Sequence, residues 1–428
     1  MIGRGRPTFS RPQAEPAGAD YGGMSATQDG HLEQTGGPVG AAGTDLDFVE
    51  LETIRYLRPE LPPLDDVARY YALSEEAHFY SNGGPCHQRL ASRLAAYVGS
   101  IGCVPVANCT LGLMAALREV CGTPAANRRN LIAVPSFTFT ATACAIRWAG
   151  FEPLFVDVEA DSWQLDPQRL RLALARYGGL VAGVMGCSTF GTAAPVAVRA
   201  GWREACADAG VPLLVDSAAG FGARDEAGRL LGSQGDTEIF SFHATKPFAI
   251  GEGGAILTSD PDAAERISRI INFGLDPDSQ TTSVAGLNAK MSELQAATGL
   301  ATLDRFDQTL AARRDTVRRL QAQLAPYPLT YQAGSSGSTW QAFQVMVPDE
   351  TVRRRAVALA KTLRIEVRTY FDPPLHRHPA FARAPVAGDL AVTEQLAQRS
   401  LSLPMANRLG SRPTARLTEL INDVFEGR

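Results

Sequence analysis

A lysine amine can do covalent chemistry on a carbonyl, and this chain of 428 residues offers only three, Lys246, Lys290 and Lys361, among its 41 basic side chains. A GC-rich coding bias accounts for the scarcity, which nevertheless confines any amine chemistry to three positions. Lys246 closes Ile239-Phe-Ser-Phe-His-Ala-Thr-Lys246 and precedes Gly251-Glu-Gly-Gly254, a glycine-rich loop that lets backbone approach a ligand. Its neighbours are aromatic, hydroxylic and small. An amine desolvated in such company has its cationic form disfavoured and becomes a Schiff-base nucleophile. Lys290 and Lys361 lie in polar-flanked stretches read as helical, where a solvated amine is the ordinary outcome.

A second group sharpens the chemistry. Asp216 ends the apolar run Val211–Val215 and is followed by Ser217-Ala-Ala-Gly220. Such a carboxylate either caps a following helix or serves a ligand, and the fragment alone leaves the two level. Paired with Lys246, it points to pyridoxal phosphate: the lysine holds the cofactor as a Schiff base while the carboxylate keeps the pyridine nitrogen protonated, so that the ring accepts electrons. Thr110, opening a helix after a strand, is placed for a phosphate at the positive helix end or as a plain cap. Ser241 could add a hydroxyl to the same phosphate. Phe139, in Pro135-Ser-Phe-Thr-Phe-Thr-Ala-Thr142, offers a face for a flat ring, although an aromatic in an apolar segment is more often core.

Other chemistries fit poorly. A net charge of −4 argues against a surface that tracks a phosphate backbone. The seven cysteines are scattered without a Cys-x-x-Cys pair, which argues against a disulfide framework or zinc site and for a reducing cytoplasm. Among the six histidines only His376 and His378 are close, and structural or substrate contact is the better reading for them than metal ligation. No apolar run approaches the roughly 18 residues of a membrane helix, and the N-terminus lacks the apolar core of a signal peptide.

The elements that must position these groups alternate. Residues 1–45 are rich in Gly, Pro, Ala, Ser and Gln without apolar periodicity and read as a disordered extension, with Met24 as an alternative start. A helix is expected over Gln88–Val98. Strands follow at Val104–Ala107, Leu131–Val134, Leu154–Val156, Leu180–Met185 and Pro212–Val215, separated by helices Thr110–Val120, Ala141–Ala149, Pro167–Arg176 and Val196–Ala209. This order predicts an α/β fold with a mainly parallel sheet, whose ligands collect where strands end. Beyond strand Ala255–Thr258, a long helical stretch from Met291 to Leu324 should bury Leu294, Ala297, Leu300, Leu303 and Phe306 on one face. Strand Ala342–Val347, helix Thr351–Leu363, strand Ile365–Arg368 and helix Pro413–Phe425 complete a smaller C-terminal α+β domain. The division is therefore an extension over 1–45, a large cofactor-binding domain over 46–300 and a small domain over 301–428.

Taken in order, Phe79-Tyr-Ser-Asn-Gly-Gly-Pro85, Asn108-Cys-Thr110, Pro135-Ser-Phe-Thr-Phe139, Val215-Asp-Ser-Ala-Ala219, Phe240-Ser-Phe-His-Ala-Thr-Lys246 and Gly286-Leu-Asn-Ala-Lys-Met-Ser-Glu-Leu-Gln-Ala296 closely resemble the DegT/StrS family of sugar aminotransferases. Pro374-Leu-His-Arg-His-Pro-Ala-Phe381 and Leu401-Ser-Leu-Pro404 match it too. The resemblance implies the PLP-dependent transferase fold type I, with Lys246 as Schiff-base lysine and proton shuttle and Asp216 as partner of the pyridine nitrogen. It implies Phe139 stacked on the ring, a phosphate turn formed by Cys109 and Thr110 with Ser241, and Asn288 reaching in from the other subunit of a homodimer.

Three departures stand out. Ala219 occupies the place of a Gln or His that usually contacts the ring hydroxyl, Cys109 replaces a small residue of the phosphate turn, and Lys290 replaces a common Arg. Lys246 separates the chain from the dehydratase branch, which carries histidine there. The expected activity moves an amino group, by resemblance from glutamate, to a nucleotide-linked 3- or 4-keto-6-deoxy sugar. The alternatives are a free cyclic ketone such as an inosose, and a non-catalytic PLP-binding regulatory subunit; no cysteine stands out for desulfurase chemistry. The Tyr80–Pro85 turn and the Tyr370–His378 segment are expected to shape the substrate pocket.

Overall fold

Short, almost wholly apolar runs separated by amphipathic stretches fold here into a seven-stranded sheet with helices against it. The computed structural model describes residues 52–124, 129–232 and 237–427, so the extension over 1–45 and Met24 lie outside the described residues. The strands are β1 Gly102–Val106, β2 Leu131–Pro135, β3 Glu152–Val156, β4 Val181–Cys187, β5 Leu213–Asp216, β6 Thr237–Ser241, β7 Gly254–Thr258, β8 Phe343–Met346 and β9 Ser400–Leu403. The helices are α1 Leu64–Glu76, α2 Pro85–Val98, α3 Cys109–Cys121, α4 Thr140–Trp148, α5 Pro167–Tyr177, α6 Val196–Ala209, α7 Pro261–Ile270, α8 Glu293–Leu303, α9 Phe306–Leu324, α10 Glu350–Thr362, α11 Ala391–Arg399 and α12 Ser411–Glu426.

The large sheet runs β1-β7-β6-β5-β4-β2-β3. Strands β2 to β6 are parallel, and β7 runs antiparallel to both neighbours. Every residue of β2, β4, β6 and β7 is buried, as expected of strands covered on both faces. Register gathers the chemistry at one edge: Cys187 pairs with Asp216, Ser241 with Gly254, and Gly254 with Val106, so the carboxyl ends of β4, β5, β6 and β1 emerge together. The second sheet, antiparallel β8-β9, packs with Val317, Leu320, Leu420 and Ile421 of α9 and α12. Residues Leu51–Arg428 form one compact unit. Among the described residues no helix is long and apolar enough to cross a membrane.

Four expectations are corrected. The stretch from Met291 to Leu324 is two helices, parted at Asp304-Arg305, where Arg305 leaves helical geometry at φ −117°. Ala297, Leu300, Leu303 and Phe306 are buried, while Leu294 is 54% exposed. Residues 365–368 form no strand and make only single bridges, Ile365 to Ile54 and Arg368 to Ser402. Lys290 is extended, bridged to Val106, because Ala289 and Met291 alternate into the core on either side of it. Lys361 does lie on a helix, exposed near the end of α10.

Candidate active site

Lys246 is carried by the connection between β6 and β7. That loop is held by its own backbone: Phe242 N donates to Gly253 O at 2.9 Å, Ile250 N to Phe242 O at 2.9 Å, Ala244 N to Gly251 O at 2.7 Å, and Lys246 N to His243 O at 2.9 Å. Gly251 adopts φ +93°, a conformation that side-chain-bearing residues rarely take. The Lys246 side chain is half-buried, and Nζ donates to Gln341 Oε1 at 3.1 Å. Burial pushes its ammonium below the ordinary lysine value, and the charge of the nearby Asp216 partly restores it. Lys246 also lines a cleft together with Arg58, Glu60, Arg313 and Asn407.

Asp216 sits at the end of β5 and is 7% exposed. Among the described residues 217–232 no helix follows, so the helix-cap reading falls away. Its Oδ2 accepts from Thr142 Oγ1 at 2.7 Å and its Oδ1 from Ala218 N at 3.1 Å. Burial raises its pKa above the ordinary carboxylate value, opposed by those two donors and by the charge of Lys246. The carboxylate is thus solvated by protein and faces the amine expected to share its ligand.

Near this pair lie the residues expected to form a phosphate turn. Helix α3 opens at Cys109, and its cap is Asn108, whose side chain accepts from Leu111 N at 3.0 Å. Thr110 is therefore within the first turn and is not the cap, which leaves its hydroxyl available to a ligand. Gly254 permits the close approach of this turn: a Cβ there would lie 2.6 Å from Phe240 O and 3.0 Å from Cys109 N. Burial and the charge of Asp216 push the Cys109 thiol well up, so it stays neutral. Ser241 ends β6, buried, its Oγ accepting from His243 N at 3.3 Å.

Phe137 of the following segment is the core aromatic, fully buried, whereas Phe139 at the N-cap of α4 is 55% exposed with its ring free of aromatic partners among the described residues. Asn288 is exposed, its Oδ1 accepting from Lys290 Nζ at 2.7 Å. Ala219 is 8% exposed, and its carbonyl accepts from Thr339 Oγ1 at 2.6 Å.

Several positioning groups escape any reading of local sequence. Thr142 and Gln341 hold the two charged groups. Glu293, fully buried, accepts from Ser74 Oγ at 2.8 Å, Cys86 N at 2.7 Å and His87 N at 3.1 Å, and so supplies the cap that Gly84 cannot give α2. This fixes the Tyr80–Pro85 turn against the start of α8. His376 is stitched to Ser136, its Nδ1 2.8 Å from Ser136 Oγ, with Nε2 2.7 Å from Glu394 Oε1. The Tyr370–His378 segment is therefore docked beside the loop that carries Phe139. No group of three His, Cys, Asp or Glu is arranged to hold a metal among the described residues.

The set fits pyridoxal phosphate: a desolvated amine, a buried carboxylate in electrostatic reach of it, an exposed aromatic face, and hydroxyls at a helix N-terminus approached closely through Gly254. The chain is 27% identical to a dTDP-4-amino-4,6-dideoxy-D-glucose transaminase of Shigella dysenteriae, over 86% of this chain and 98% of that one. It is 30% identical to an L-glutamine:scyllo-inosose aminotransferase of Streptomyces griseus, over 77% and 80% respectively. Its fold superimposes on the crystal structure of DesI in the presence of its TDP-sugar product with a TM-score of 0.79 at 30% identity, over 88% of this chain and 94% of that one. The profile of the DegT/DnrJ/EryC1/StrS aminotransferase family matches residues 66–422, and the chain belongs to that family as a pyridoxal-phosphate-dependent aminotransferase.

Proposed function

We propose that this enzyme transfers an amino group from an amino acid, glutamate, to the keto carbon of a nucleotide-linked 3- or 4-keto-6-deoxy sugar, releasing a 2-oxo acid and an amino sugar. The observation that carries the reading is the Lys246 amine, desolvated and in electrostatic reach of the buried Asp216. The nucleotide-sugar relatives support the acceptor class.

When bound, the cofactor supplies an electron sink for the carbon that gains or loses nitrogen. The chain does the rest. Lys246 Nζ holds the cofactor and, once displaced by the donor, carries a proton to and from the reacting carbon. Asp216 keeps a negative charge against the pyridine nitrogen, with Thr142 and Ala218 N–H fixing its orientation. Phe139 would stack on the ring, and Cys109, Thr110 and Ser241 would hold the phosphate. Asn288 would complete the cradle from the other subunit of a homodimer, which suits its exposed position. On this reading residues 46–300 make up the cofactor-binding part and 301–428 the smaller part, with residues 46–51 and 428 lying outside the described residues. A reducing cytoplasm suits seven cysteines none of which forms a disulfide.

The inosose aminotransferase relative supports a second acceptor, a free cyclic ketone. A substrate panel of nucleotide-linked keto sugars and inososes, run after loading the enzyme with the amino group of glutamate, separates the two. Turnover only of the nucleotide-linked substrates supports the proposal, and turnover only of the cyclitol ketone refutes it. Lys246→Ala should abolish turnover together with the borohydride-reducible visible band.

A further inference from the structure

The hydrogen bond from Lys246 Nζ to Gln341 Oε1 joins two residues 95 positions apart. Gln341 is itself fixed. Arg313, 5% exposed on α9, donates through Nη2 to Gln341 O at 2.9 Å and through Nε to Thr339 O at 3.2 Å and Trp340 O at 3.1 Å. Its Nη1 reaches Asn407 Oδ1 at 2.7 Å, and Asn407 Nδ2 in turn donates to Glu60 Oε2 at 2.7 Å. The same segment is tied to the Asp216 loop, since Thr339 donates to Ala219 O. A buried cation spent on backbone carbonyls is costly unless every donor is used, and here its donors converge on the stretch that presents Gln341 to the amine.

We propose that Gln341, pinned by Arg313, is the positioning residue that sets the proton affinity of the Lys246 amine. The assignment rests on reading Lys246 as the cofactor-carrying amine. An amide oxygen accepts a hydrogen bond more strongly from an ammonium than from a neutral amine, so Gln341 favours the charged form while burial opposes it. Other groups face the amine from two sides: Cys109 and Asp216 from the sheet edge, and Arg58, Glu60 and Arg313 across the cleft. His243, on the same loop, is turned to Thr245 at 2.8 Å and lies 3.6 Å from Glu252. Cys109 stays neutral, while burial pushes the Arg313 guanidinium down to about 10, so the amine is read on the neutral side of that value; there Gln341 is a neutral acceptor whose replacement by leucine alters the amine without removing a charge.

The test uses full-length protein freed of cofactor, and measures against pH the rate at which it captures added pyridoxal phosphate, read from the visible band. Only the neutral amine attacks the aldehyde, so the midpoint of the profile reports Lys246. Gln341→Leu should lower that midpoint by about one pH unit, a tenfold change in proton affinity, and Gln341→Glu should raise it by about as much. A residue that only supports the fold would not move the two in opposite directions. Midpoints equal to wild type, or shifted the same way in both variants, overturn the proposal while leaving Lys246 as the attachment site. Absence of the band in wild type overturns the assignment of Lys246 itself, and this proposal with it.

Discussion

Replacing Thr142 by Val keeps the shape of a fully buried side chain and removes one of the two hydrogen bonds that solvate the Asp216 carboxylate. A bond to a charged group contributes about 1.5–3 kcal/mol, so its loss moves the folded-state pKa of Asp216 further up. The sign follows from linkage. Asp216 already titrates above its ordinary value when folded, so its contribution to stability is present at acid pH and is lost as pH rises through the folded pKa. In Thr142→Val that loss deepens over the interval between the two folded pKa values and then levels off. Urea unfolding of the cofactor-free full-length protein, repeated from the ordinary carboxylate range up to neutrality and beyond, should therefore show a deficit that grows with pH and saturates at about 1.5–3 kcal/mol above that of the protonated pair. A deficit that is flat across that range, or largest at acid pH, refutes the placement of a carboxylate charge against Thr142.

Further outcomes follow from single contacts. Gly254→Ala forces a methyl against Phe240 O and Cys109 N, backbone atoms that cannot step aside cheaply. It should cost about 1–3 kcal/mol in stability and weaken cofactor binding measured by fluorescence titration. Phe139→Ala removes a ring that is already exposed, so thermal stability should hold while cofactor affinity falls about tenfold, by roughly the 1 kcal/mol of a stacking contact and the apolar area beneath it. Asp157 is 1% exposed and accepts from Thr393 N and Oγ1, both at 2.8 Å, and from Val392 N at 3.0 Å, which ties the start of α11 to the end of β3. Asp157→Ala should lower stability by about 3–5 kcal/mol, since it strands buried donors, and chemical denaturation reads this directly.

The desolvation of Lys246 and Asp216 was legible in the sequence because their local surroundings are wrong for solvated charges: Asp216 closes an apolar strand, and Lys246 sits among aromatic, hydroxylic and glycine residues. The alternation of short apolar runs with amphipathic stretches was equally legible, since strands buried on both faces need near-continuous apolar sequence. Local pattern cannot show partners brought in from afar. Thr142 meets Asp216 across 74 residues, Gln341 meets Lys246 across 95, and Glu293 caps α2 across 207. Lys290 misled because its polar flanks suit a solvated helix as well as an extended segment whose alternate residues are buried. Between α8 and α9 the helical apolar period continues through the break, and only the φ of Arg305 marks where the axis changes. Phe137 and Phe139 are two residues apart in one run, and which of them is core depends on where β2 ends.

The scarcity of lysine makes the central claim unusually direct to test. The purified holoenzyme is reduced with borohydride, digested, and mapped by mass spectrometry, with only three lysine side chains able to retain the cofactor. The account predicts the label on Lys246 alone, together with loss of the visible band. Label on Lys290 or Lys361, or a visible band that persists in Lys246→Ala, would contradict it.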